Sequence, residues 1–151
     1  MSDTKAMMAE LEKLVGLESA PVTYDVEKGH VKRFAEAIGD TNPAYKDEEA
    51  AKKGRHGALI APPTFCRALF SGSLPDAQAK TPYKRVLDGG SEWEYFEPVR
   101  VGDKVSVTAK YGGFKLRQGS MGEMLFVTMI QSYKLQNGKV ACTQTSTRIL
   151  Y

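Results

Sequence analysis

From Val86 the pattern changes to runs of period two, and no other feature of the chain restricts its fold as tightly. Trp93 and Tyr95 alternate with Glu92, Glu94 and Phe96, and Val105, Val107 and Ala109 alternate with Lys104, Ser106 and Thr108. Two further runs, MLFVTMIQSYKL and KVACTQTSTRILY, flank Asn137-Gly138. A period of two is that of a strand with one buried face, and Asn-Gly readily takes the positive φ angles of a two-residue hairpin turn. With PVRVGD read as the turn between the first two runs, the C-terminal half is expected to be an antiparallel meander.

The first half has the helical period instead. Met7, Met8, Leu11, Leu14 and Val15 form one apolar stripe ended by Gly16, which predicts a leading helix within residues 1–20. After Pro21, TYDV reads as extended. Val31, Phe34, Ala35 and Ile38 share a face of a second helix that stops before Gly39. The run DEEAAKKG from Asp47 has acids in its first turn and lysines in its last, as the helix dipole prefers, and predicts a short third helix. GALIAPPTFCRALFSG, with two prolines near its start and Gly72 near its end, is the candidate for a buried central helix. Helices followed by hairpin-linked strands define an α+β class, an antiparallel sheet wrapped around a central apolar helix. At 151 residues the chain has room for one core, so a single domain over 1–151 is expected, with its core in 21–151.

Composition removes several function classes. A net charge of +3, from 21 basic and 18 acidic residues without a block of like charge, is too weak for a nucleic-acid surface. Cys66 and Cys142 stand far apart among apolar or small residues, which indicates neither a metal cluster nor a disulfide framework; no metal is expected and a reducing compartment fits. No apolar run has the length of a membrane span, and the opening residues carry acids where a secretory signal is basic and then apolar, so a cytoplasmic protein is expected.

Chemistry is concentrated in FAEAIGDTNPAYKDEEAAKKG, residues 34–54, where a helix ends at Gly39 and Asp40 and Asn42 follow in a loop closed by Pro43. This run resembles the signature of the MaoC-like (R)-specific enoyl-CoA hydratases, Gly-Asp-x-Asn-Pro-x-His. Gly39, Asp40, Asn42 and Pro43 match it, and Tyr45 stands at the histidine position. The family's reaction needs one group to move a proton and another to hold water near neutral pH. A phenol titrates roughly three units above an imidazole, so Tyr45 is a poor base, although its hydroxyl can donate a hydrogen bond. The family also carries Ala-His-Gly at the start of its central helix, where the glycine N–H polarises the thioester carbonyl. Here the run is Ala61-Pro62-Pro63, followed by Thr64, and Pro63 has no N–H to donate. Loss of one such donor typically costs about 10²–10³ in rate.

Taken together, GDTNPAY, LIAPPTF and a strand leading into EPVRVGD resemble the FAS1-like or MaoC-like N-terminal dehydratase domain over roughly residues 24–151. The resemblance implies a hot-dog fold and edge-to-edge association. It also implies a division of labour, as in the mycobacterial (3R)-hydroxyacyl-ACP dehydratase heterodimers: this half shapes the acyl channel while a second hot-dog subunit supplies aspartate and histidine. It implies acyl-CoA or acyl-ACP as substrate and no bound cofactor. Asp88-Gly89 replaces the family's His-Gly or His-Ala, leaving an acid near the substrate.

Simpler roles compete for each residue. Asp40 and Asn42 are also favoured after a helix end because their side chains bond to nearby backbone N–H groups. Tyr45 also serves as a packing residue. His30 and His56 are the only histidines and both read as solvated, although Lys52, Lys53, Arg55 and His56 form a cationic cluster suited to the phosphates of coenzyme A or phosphopantetheine. Cys66 reads as a small buried hydrophobe, and no nucleophile is expected. Three functions follow: one subunit of an acyl-thioester hydratase or dehydratase paired with a catalytic hot-dog partner; a non-enzymatic acyl-CoA-binding module; or a self-sufficient homodimeric hydratase in which Asp40, Tyr45 or Asp88 has replaced the base.

Overall fold

The computed structural model describes residues 2–120 and 122–151. Strands β1 (Val22–Asp25), β2 (Val86–Tyr95), β3 (Lys104–Gly119), β4 (Gly122–Leu135) and β5 (Val140–Leu150) form one antiparallel sheet in the order β1-β3-β4-β5-β2. Helices α1 (Ser2–Glu12), α2 (Lys28–Ala37) and α3 (Glu48–Lys53) precede β2. The fold is α+β in a single domain, the hot-dog arrangement.

Only β3, β4 and β5 form the expected meander. β2 lies beyond β5 at the sheet edge, so PVRVGD belongs to a crossing connection and is not a hairpin turn. Its backbone is tied across the molecule: the Val101 N–H donates to the Leu59 carbonyl at 3.0 Å and the Gly102 N–H to the Val26 carbonyl at 2.8 Å. The β4–β5 turn also differs from expectation. Leu135 pairs with Lys139 (N···O 2.8 Å) around three residues, and of these only Gly138 has a positive φ, +84°. Asn137 instead accepts the Lys139 N–H on its side-chain oxygen at 3.0 Å.

One face of the sheet is inside. Val105, Val107, Tyr133, Ala141 and Cys142 form a core with Val31 and Ala35 of α2 and with Phe65, Cys66 and Leu69. A second cluster, under α1, joins Leu11 and Leu14 to Tyr111, Phe114, Leu125, Val127 and Leu150. The leading helix thus forms as its stripe predicts, though it stops at Glu12, before Gly16.

The expected central helix is the main correction. Residues 57–72 contain only a 3₁₀ turn, Pro63–Ala68. Pro62 and Pro63 fix its start, and beyond Ala68 the backbone finds partners outside a helix. The Tyr24 hydroxyl accepts the Phe70 N–H at 3.2 Å and donates to the Phe70 carbonyl at 2.9 Å, and Leu69 is extended. Gly72 runs so close to Ala20 that a β-carbon there would lie 2.4 Å from the Ala20 carbonyl oxygen. The sheet therefore wraps a shortened helical turn together with α2, and part of its inner face is left open.

Candidate functional site

The end of α2 builds one side of the site. Gly39 takes a φ of +71°, which lets the chain reverse, and the Asp40 N–H closes the helix end on the Ala35 carbonyl at 2.9 Å. Asp40 Oδ1 then accepts the Asn42 N–H at 2.9 Å, and Asn42 Oδ1 accepts the Ala44 N–H at 3.0 Å. Asn42 so caps a 3₁₀ turn, Pro43–Tyr45, and Asp47 caps α3 by accepting the Ala50 N–H at 3.0 Å. The polar motif residues thus use one side-chain oxygen each to shape the loop.

The loop is stitched to the sheet side through Ile60, whose N–H donates to Ala44 at 3.1 Å, and Ala61, whose N–H donates to Val99 at 2.8 Å. Between these segments, the 3₁₀ turn and the end of β2 lies a cavity of about 630 Å³. Its wall includes Asn42, Tyr45, Arg55, His56, Pro63 and Cys66. Five of the eight residues singled out in the sequence therefore converge here: Asn42, Tyr45, Arg55, His56 and Pro63. Asp40 does not line the cavity, although its carboxylate is near enough to act on Tyr45. Thr64 is exposed and faces elsewhere, Asp88 lies on a separate cavity, and His30 is solvated 3.7 Å from the Glu27 carboxylate.

Tyr45 is 7% exposed. Burial lifts its phenol above the ordinary range and the Asp40 carboxylate adds to this, with Asn42 opposing. A neutral hydroxyl, able to donate but not to take a proton at neutral pH, stands at the position to which the sequence resemblance assigns an imidazole. Pro63 occupies the first turn of its 3₁₀ segment without an N–H, so the backbone contact expected for a thioester oxygen is absent at that residue. Arg55 and His56 follow α3 on the cavity wall, and Lys52 and Lys53 stand in the last turn of α3.

Sequence reasoning missed the two thiols. Cys66 and Cys142, 76 positions apart in sequence, meet at the cavity wall, both buried and reduced. Hydrogen bonding from Cys142 lowers the Cys66 thiol, and the same bond, with burial, pushes Cys142 up. The missed signal was periodicity: Cys142 shares the inner face with Tyr133, its partner on β4. Tyr95 and Phe96, also cavity residues, are 49% and 58% exposed, and among the described residues β2 is an edge strand with no neighbour beyond it.

A five-stranded antiparallel sheet over a short helical turn, with a cavity at the end of its motif loop, defines a hot-dog protein of the MaoC-like dehydratase class. The chain belongs to the FAS1-like, dehydratase domain region family, whose model it matches over residues 13–144. The UPF0336 protein SCO4636 of Streptomyces coelicolor is 40% identical over 118 residues, 75% of this chain and 79% of that one. The ChsH1-ChsH2 complex from Mycobacterium tuberculosis contains a chain that superposes with a TM-score of 0.82 at 23% identity, over 99% of this chain and 92% of that one. The C-terminally truncated HadBC (3R-hydroxyacyl-ACP dehydratase) complex from the same organism gives 0.71 at 21% identity, over 90% and 96%. At these identities the two superpositions establish the fold.

Proposed function

We propose that the chain is the substrate-holding subunit of an acyl-thioester hydratase or 3-hydroxyacyl-thioester dehydratase, working beside a second hot-dog subunit that supplies the aspartate and histidine. The substrate is an acyl-CoA or acyl-ACP, and no bound cofactor takes part. The observation that carries this reading is Tyr45, a buried phenol at the proton-transfer position whose pKa lies above its ordinary value. With a phenol in place of the motif's imidazole the chain lacks that base, and the imidazole on the cavity wall, His56, is not part of the motif. Pro63 supports the same division, since a partner must also supply the missing oxyanion donor.

The cavity then serves as the acyl and thioester compartment, and Arg55 and His56 on its wall take the carrier's phosphates. The exposed edge of β2, with Val86, Leu87 and Tyr95 on it and Phe96 just after it, is where the second subunit adds its own strand. The two superposed neighbours, named as complexes, favour a hot-dog partner.

The purified chain is expected to bind crotonyl-CoA while hydrating it at no more than a trace rate. Mixing with a hot-dog subunit that carries the full motif restores turnover. Full activity of the chain alone refutes the proposal, and binding without turnover in any pairing makes it a non-enzymatic acyl-thioester module.

A further inference from the structure

The inner face of the sheet carries a second cavity, about 350 Å³, left open where the central helix is short. Its wall mixes apolar residues, Phe70, Val86, Leu87 and Met129, with a strip of polar ones, although the same face is apolar on either side. Along β5 the inward residues run Cys142, Gln144, Ser146 and Arg148, opposite Tyr95, Trp93, Ser91 and Asp88 of β2. Simple alternation turns Ser91 outward once Asp88 faces in, and an extra residue at Gly89-Gly90 brings it back. That bulge needs its glycines. Gly90 sits at φ +102° with its N–H on Asp88 Oδ1 at 2.9 Å, and a β-carbon on Gly89 would lie 3.0 Å from the Thr147 carbonyl oxygen. Its product is an inward Ser91 whose hydroxyl accepts from Gln144 Nε2 at 3.0 Å; Gln144 itself is only 5% exposed.

Arg67, from the 3₁₀ turn, and Arg148, from β5, both face this cavity. Among the described residues the ion pairs are all made by lysine or histidine, so neither guanidinium is matched by a carboxylate. Asp88, cross-strand from Arg148, is held by the bulge. Two guanidiniums against one carboxylate, beside Gln131, Gln144 and three serine hydroxyls, make a donor-rich concavity with surplus positive charge. Arginine forks of this kind match the two oxygens of a carboxylate.

The two cavities share one face. Tyr95 borders the first and Ser91 the second, and the four residue steps of strand from one to the other span about 13 Å. Trp93 lies between, stacked on Tyr95 and Tyr133 at ring separations of 6.1 and 5.7 Å. An acyl tail from a thioester seated by Tyr45, with its carrier toward Arg55, would have to pass Trp93, which lines neither cavity, to reach Arg148. We infer that the second cavity binds a carboxylate at the far end of the acyl group, so that the chain selects ω-carboxyacyl thioesters over alkyl ones. This rests on the acyl-thioester reading of the first cavity.

The test is calorimetric binding of decanoyl-CoA and of sebacoyl-CoA, equally long but ending in a carboxylate, to the full chain. Sebacoyl-CoA is expected to bind about tenfold or more tighter, the scale of a charge-assisted hydrogen bond. Arg148→Met and Arg67→Met each reduce that preference and leave decanoyl-CoA unchanged. Gln131→Glu, which keeps the side chain's size but adds a like charge, weakens sebacoyl-CoA alone and provides a check should an arginine variant fold poorly. Equal binding of the two thioesters by the unaltered chain overturns the inference while leaving the acyl-thioester reading intact, and binding of neither overturns both. An Arg148→Met variant that weakens both thioesters equally assigns the arginine to the carrier's phosphates and also overturns the inference.

Discussion

Replacing Tyr45 separates packing from chemistry at the motif position. A tyrosine ring brings on the order of 200 Å² of surface, and Tyr45 is only 7% exposed. At about 25 cal/mol per Å² its burial is worth roughly 4–5 kcal/mol. Allowing for the partly compact unfolded chain leaves about 3–4 kcal/mol. Tyr45→Ala is therefore expected to remove about that much from a domain whose whole stability is on the order of 5–15 kcal/mol. Tyr45→Phe keeps the ring and deletes only the hydroxyl, so it costs about 1 kcal/mol or less. Urea unfolding followed by the fluorescence of Trp93, the single tryptophan, measures both. In the complex with a catalytic partner, Tyr45→Phe is expected to keep turnover within about threefold, equivalent to under 1 kcal/mol of barrier. A loss of about a hundredfold or more in a folded Tyr45→Phe variant would show that the phenol takes part in the reaction.

Other perturbations test other parts of the account. Arg55→Ala is expected to weaken acyl-CoA binding about tenfold at low salt and by less as salt rises, because it removes an exposed phosphate partner on the cavity wall; titration at two ionic strengths reads this. Gly90→Val forces a side chain into φ +102° and is expected to cost about 1–3 kcal/mol and to lower the urea midpoint. Alkaline titration of the tyrosines has a definite sign. Burial, and for Tyr83 the Glu123 carboxylate at 2.7 Å, raises the folded-state pKa of Tyr45, Tyr95, Tyr133 and Tyr83, the last to about 12. The folded chain then holds protons that the unfolded chain releases near pH 10, so these groups' contribution to stability is intact below about pH 10 and is lost as pH rises toward 12. Near-ultraviolet absorbance should show fewer phenolates at pH 11 in the folded chain than in urea; equal numbers contradict the burial.

Strand periodicity made the sheet legible, since Val105, Val107 and Ala109, like Tyr133 and Leu135, could face inward only together. Two features of the sheet were not local. Whether β2 pairs with β3 or crosses to β5 depends on where Val101 and Gly102 find acceptors, on Leu59 and Val26, and no alternation encodes that. The central helix was misread because an apolar run bounded by Pro63 and Gly72 fits a helix equally well until the Tyr24 hydroxyl claims the Phe70 backbone. At the site, Asn42, Tyr45 and Pro63 line one cavity, a grouping that only the family resemblance implied and no spacing in the sequence encodes. The cysteine pair and the polar strip from Asp88 to Arg148 emerged only from cross-strand register, which in β2 depends on a bulge at Gly89-Gly90.

The claim that this subunit holds substrate while another moves the proton meets its sharpest test in Asp40→Asn. Asparagine keeps the oxygen that accepts the Asn42 N–H but carries no charge, so the loop is preserved and only proton chemistry is removed. In the reconstituted complex, kcat is expected to stay within about threefold of the unaltered value, whereas changing the partner's own motif aspartate abolishes turnover. A fall of about a hundredfold or more with Asp40→Asn, the complex remaining assembled, would place the working carboxylate in this chain and contradict the account.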